Sequence, residues 1–68
     1  MASVALTTEI SARSETSFED AIRVGVERAT KTLRNVQAAW VKEQEVKIEN
    51  DQIVVFQVIM KVTFELED

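Results

Sequence analysis

The sequence predicts an α+β fold of order β-α-β-β, a three-stranded antiparallel sheet packed on one helix. Three observations carry this reading. Phe56, Val58, Met60, Val62, Phe64 and Leu66 form one apolar face at strict period two, the signature of a strand with a buried side. Phe18, Ile22, Gly25, Ala29 and Leu33 recur at three- and four-residue spacing, which is the period of a helix. Between two extended stretches, Glu49, Asn50, Asp51 and Gln52 make a polar turn.

In chain order, Val4, Leu6, Thr8 and Ile10 alternate with Ala5, Thr7, Glu9 and Ser11, which predicts a first strand. Residues 11–17 read as a polar loop. Thr16 with Glu19 three residues later forms a capping-box pattern, and Ser17 with Asp20 is the alternative one residue on. The helical period then runs from Phe18 to about Asn35, its apolar face widened by Ala21 and Val26. Acids early and bases late suit the helix dipole. Gly25 lies inside this helix, where glycine costs roughly 1 kcal/mol relative to alanine. Either a close helix–sheet contact or simple tolerance accounts for it.

Residues 36–48 read as a second strand with imperfect alternation. Ala39 and Val41 share one phase while Val46 and Ile48 fall in the other, so a bulge or bend is expected near residues 43–45. In the third strand the second face carries Val55, Gln57, Ile59, Lys61, Thr63 and Glu65. One helix covers one face of such a sheet, and it should cover the Phe56 side. The opposite face, with Gln57, Ile59, Lys61, Thr63, Ala38 and Trp40, is too apolar for a solvated surface and too polar for a core. That mixture suits a subunit interface or a ligand pocket between subunits.

Composition points the same way. A chain of 68 residues forms one domain, and folding buries only about 60% of its unfolded surface, so it needs help to be stable. With no Cys and no His, disulfides and the common zinc ligand sets are excluded. Self-association remains. The formal charge of −4 disfavours nucleic acid or an anionic membrane as partner. No apolar run approaches the roughly 20 residues of a membrane span, and no secretory leader is visible over residues 1–10, so a cytoplasmic protein is expected. An enzyme is not expected either. There is no Cys, His or Tyr and no Gly-rich phosphate loop, and the Ser and Thr residues have only carboxylates and lysines to activate them.

Several strings, taken together at their spacing, resemble the dodecin family. Thr16-Ser17-Phe18-Glu19-Asp20-Ala21 resembles its helix start, and Ala29-Thr30-Lys31-Thr32-Leu33-Arg34-Asn35 its helix end. Phe56-Gln57-Val58, Lys61-Val62, Phe64 and Leu66-Glu67-Asp68 resemble the last strand and the chain end. The resemblance covers residues 1–68 as a single dodecin-like domain. It implies a hollow homododecamer that binds and stores flavin (riboflavin, lumichrome or FMN) stacked between tryptophans of neighbouring subunits.

Carried over residue by residue, the resemblance makes Gln57 the glutamine that meets the flavin edge. Its amide both donates and accepts. The alternative is an interface glutamine bonded to a neighbouring subunit. The family's stacking tryptophan falls at Ala38, and the only tryptophan, Trp40, lies two residues on. It is on the same strand face but displaced by roughly 6 to 7 Å. Trp40 reads either as a ligand contact or, preferentially, as an aromatic anchor at a subunit interface.

Glu45 and Glu65 stand where many members carry arginine. They would repel a phosphate and so favour riboflavin or lumichrome over FMN. Repeated by symmetry, they are also candidates for holding calcium or magnesium through oxygen ligands. Lacking the tryptophan at its usual place, the Ala38-Ala39-Trp40-Val41 region resembles the calcium-dodecin branch. The runner-up to flavin storage is thus a dodecin-like shell that binds a cation or serves structurally. A third reading is a dimeric β-α-β-β interaction module.

Overall fold

The computed structural model describes residues 2–66, so the resemblance at Glu67 and Asp68 lies outside the described residues. The order is β1 (Ala5–Ser14), α1 (Phe18–Thr32), β2 (Val36–Glu49) and β3 (Gln52–Glu65). The strands form one antiparallel sheet in the order β1-β3-β2, so the last strand is central. No helix among the described residues is long and apolar enough to cross a membrane.

The period-two alternation of β3 decides which side α1 takes. Val58, Met60 and Val62 are fully buried, and Ala12 and Ala21 close around Val58 and Met60 with Ile10, Phe18, Ile22 and Val41. Full burial of each such β3 side chain stabilises by about 1.5–3 kcal/mol. Phe18 at the helix start meets Phe56 edge to face, with ring centroids 5.1 Å apart. Small residues face the sheet along α1, where Ala21, Gly25 and Ala29 are buried. A Cβ on Gly25 would stand 2.5 Å from Met60 Cε and 3.0 Å from Ala12 Cβ. A close helix–sheet approach therefore accounts for the glycine.

Four local expectations are corrected. The loop expected over residues 11–17 is mostly strand, because Ser11 to Ser14 pair with Ile59 to Phe56. Polarity misled there: β1 is an edge strand with one solvated face, and inward-facing Ser14 has its hydroxyl satisfied. That hydroxyl donates to Asp20 Oδ2 at 2.7 Å and accepts from the Thr16 N–H at 2.9 Å. The N-cap is Ser17 rather than Thr16, accepting from the Asp20 N–H at 2.9 Å. Asp20 does not complete a capping box, since its carboxylate is held by Ser14 and by Arg23 at 2.6 Å. The Arg23 hydrogen bond, then the Ser14 one, lowers the Asp20 pKa from its ordinary value.

The helix ends at Thr32 instead of near Asn35. Leu33 is extended, with its N–H on the Ala29 carbonyl, and Asn35 takes the left-handed backbone (φ 58°) that turns the chain into β2. Finally, the bulge falls at Lys42, one residue before the expected stretch, with further register shifts at Gln37 and near Ile48. The extra residue at 42 brings Val41 and Val46 to the same helix-facing side despite their opposite parity.

A two-residue turn joins β2 to β3. Asn50 and Asp51 both have positive φ, 51° and 63°, as a type I′ hairpin turn requires. The hairpin outreaches the helix, giving principal extents of 52 × 19 × 13 Å. The radius of gyration is 14.1 Å, against about 11 Å for a compact domain of this length. The accessible surface is 5207 Å², against about 4300 Å² for a compact monomer of this mass. One copy therefore leaves more surface open than its size warrants.

Candidate functional site

The uncovered face of the sheet holds most of the residues singled out from the sequence, and its cross-strand register sets them in rows. From one end these are Arg13–Gln57–Glu45, Ser11–Ile59–Glu43, Glu9–Lys61–Trp40 and Thr7–Thr63–Ala38. Trp40 and Ala38 share this face with Gln57, but Gln57 stands four residues along β3 from Trp40's partner Lys61, about 13 Å. The chain does not bring indole and amide together.

Gln57 is only 7% exposed. Its Oε1 accepts from Arg13 Nε at 2.7 Å, and its Nε2 donates to Glu45 Oε1 at 2.9 Å. The partners are thus Arg13 and Glu45 of the same chain. An amide has two lone pairs on oxygen and two hydrogens on nitrogen, so one of each remains. Beside it, Glu43, Gln44, Glu45, Gln57 and Ile59 line a concavity of ≈ 220 Å³ just past the Lys42 bulge. That is below the roughly 300–1,000 Å³ of ligand pockets, so within one chain the concavity is too small to enclose a ligand.

Trp40 is half exposed, with the Lys61 ammonium 5.9 Å from its ring centroid, within cation–π range. Ala38 is exposed opposite Thr63. Glu45 is not a bare carboxylate, because Lys47 Nζ lies 3.3 Å from it in addition to the Gln57 amide. Glu65 sits eight residues from Gln57 along β3, about 26 Å, so the two candidate cation ligands do not meet within one chain. No group of three or more acidic side chains able to hold a metal occurs among the described residues. A larger groove of ≈ 560 Å³ between α1 and β1, lined by Ile10, Val24, Ala29 and Leu33 among others, holds none of the sequence candidates.

Sequence reasoning missed Arg13. It lies in the stretch whose polarity predicts a loop, and only the β1–β3 register places it against Gln57. Ser14, which ties β1 to the helix start, was missed for the same reason.

A family model described as Dodecin matches residues 4–67. Among solved structures, an arginine-to-alanine variant of the Thermus thermophilus dodecin is 34% identical, with a TM-score of 0.92 over 98% of this chain and 100% of that one. The dodecin from Streptomyces davaonensis is 35% identical, with a TM-score of 0.92 over 97% of each chain. A calcium dodecin from Mycobacterium tuberculosis, described as a calcium-chelating immunodominant antigen with a novel calcium-binding site, is 26% identical. Its TM-score is 0.83, over 96% of this chain and 93% of that one. No curated protein gives a match.

Proposed function

The chain belongs to the dodecin family, and from that premise we propose that it is a non-enzymatic flavin-binding storage protein of the cytoplasm. In this reading copies of the chain assemble into a hollow homododecamer, and each contributes one wall of a site between subunits. A planar flavin ring lies against the uncovered sheet face, with its edge on Gln57. Trp40 and the small Ala38 shape the stacking side.

The observation that carries the reading is the Gln57 amide. It sits almost buried beside a concavity, already bonded on two sides, and keeps one acceptor and one donor position. A cyclic imide edge such as that of isoalloxazine offers the matching donor and acceptor. Lys47 offsets part of the Glu45 charge, so an FMN phosphate meets a smaller repulsion than a lone carboxylate sets, and riboflavin and lumichrome stay the preferred ligands. Riboflavin fluorescence titrated with micromolar protein is expected to be quenched. Unchanged fluorescence would sink the proposal.

A second reading, a shell that holds calcium or magnesium, is favoured by the likeness to the calcium-chelating dodecin. It requires Glu45 or Glu65 from several copies to converge, since one chain does not gather them. Calorimetric heat on adding calcium, together with no flavin quenching, would replace the first reading by this one.

A further inference from the structure

Gln57 lies in a row of three side chains that crosses all three strands. Arg13 comes from β1 and Glu45 from β2, each directly opposite Gln57 in the register. A guanidinium has only donors, and an ionised carboxylate has only acceptors. The two amide ends of a glutamine are otherwise interchangeable in shape. Here the chemistry of the neighbours decides between them. Oε1 must face Arg13 and Nε2 must face Glu45, as the distances of 2.7 and 2.9 Å record. Turning the amide over would set NH₂ against guanidinium and oxygen against carboxylate, losing both hydrogen bonds and adding two repulsions.

The geometry points to Arg13 and Glu45 as positioning residues that lock the Gln57 amide in one orientation, acceptor toward β1 and donor toward β2, and so fix which way round a ligand edge binds. The ligand class rests on the flavin reading above; the lock itself does not. Lys47, 3.3 Å from the Glu45 carboxylate, holds that end of the row in turn. A ligand edge must therefore present its donor on the β1 side and its acceptor on the β2 side. Amide orientation is pre-set before binding, so no ligand contact is spent on turning it.

Two variants separate the lock from the flavin reading. Glu45→Gln keeps an acceptor for Nε2, while Glu45→Lys leaves Gln57 between two donors. The first readout needs no ligand: the side-chain amide resonances of Gln57 in the assembled protein. In the wild type one amide proton should be shifted downfield by the carboxylate. The shift should persist in part in Glu45→Gln and vanish in Glu45→Lys. The second readout is the riboflavin dissociation constant, expected to rise about tenfold or more in Glu45→Lys and about threefold or less in Glu45→Gln. Arg13→Leu, which frees the other end, should weaken riboflavin binding by a similar factor to Glu45→Lys and serves if that variant fails to assemble.

If the wild type does not quench riboflavin but the resonance pattern holds, the flavin reading fails and the lock stands. If the wild type binds riboflavin and Glu45→Lys and Arg13→Leu bind equally well, the lock is overturned and the flavin reading stands. Two interconverting sets of Gln57 amide resonances in the wild type would overturn the lock directly.

Discussion

Replacing Gly25 by alanine sets two effects of opposite sign against each other. Alanine in a helix interior is favoured over glycine by roughly 1 kcal/mol. Against that, the new Cβ stands 2.5 Å from Met60 Cε and 3.0 Å from Ala12 Cβ. Carbon atoms rest about 3.5–4.0 Å apart, so the Met60 methyl must retreat by about 1 Å and Ala12 by about half that. Met60 is a flexible side chain but is fully buried, with Val58 and Val62 on either side of it along β3. Ala12 has no torsion with which to yield. Overpacking of this kind costs about 1–3 kcal/mol, which outweighs the helix gain and leaves a net loss of about 1 kcal/mol. With an unfolding entropy of about 2.1 cal/mol/K per residue, that lowers the melting midpoint by about 7 °C. Calorimetry at one fixed protein concentration measures it, since self-association moves the midpoint with concentration. Repeating the change in a Met60→Val background, where Cε is gone and only the Ala12 contact at 3.0 Å remains, should make the loss smaller. A rise of several degrees for Gly25→Ala in the wild type would refute the reasoning, because it would show that close approach is not what selects glycine.

Three further outcomes are expected. Trp40→Ala should abolish riboflavin quenching while light scattering still reports the oligomer; loss of the oligomer instead makes Trp40 an interface anchor. Asp51→Gly should raise the unfolding free energy by a few tenths to about 1 kcal/mol, because glycine takes the φ of 63° without a Cβ penalty, and a lower unfolding midpoint contradicts the turn assignment. Arg23 first, then Ser14, holds the Asp20 pKa below its ordinary 3.8 in the folded chain. The folded state thus binds fewer protons than the unfolded one, and this stabilisation is present above the unfolded value and is lost as pH falls through the folded one. Urea midpoints followed from about pH 5 to pH 2 should fall more steeply for the wild type than for Asp20→Asn, and parallel curves would remove the claim.

The legible parts of this chain were those where one physical period dominates. The β3 alternation survives intact because a single buried face selects it, and it placed Gln57 and Met60 on opposite sides of the sheet. The helix face was readable for the same reason, while the choice between close contact and tolerance at Gly25 needed the packing against Met60 and Ala12. The misread stretch, residues 11–14, is an edge strand whose outward side carries Ser11 and Arg13. Its inward side uses Ser14, whose burial depends on partners from the helix start. Nothing local marks such a segment as strand. The same cause hid Arg13 from the site, since its role exists only through pairing with a strand at the other end of the chain. The Lys42 bulge was visible as a break in phase but not to the residue, because a phase break marks an interval and the register alone picks the inserted position.

The central position of β3 also bears on the order in which the molecule is built. Its pairing with β2 closes a two-residue turn, whereas its pairing with β1 joins Ala5 to Glu65 from opposite ends of the sequence. Closing a long loop is slow compared with closing a tight turn. As a hypothesis, the β2–β3 ribbon forms first and β1 docks last, carrying Arg13 with it. Until then β3 shows an open edge that the β1 of another copy fits equally well, so crowded nascent chains risk exchanging their first strands. Pulse-labelled hydrogen exchange would detect the delay, and simultaneous protection of β1 and β2 amides would rule it out. On this order, the Gln57 amide gains its Glu45 partner with the ribbon and its Arg13 partner only when the final strand arrives.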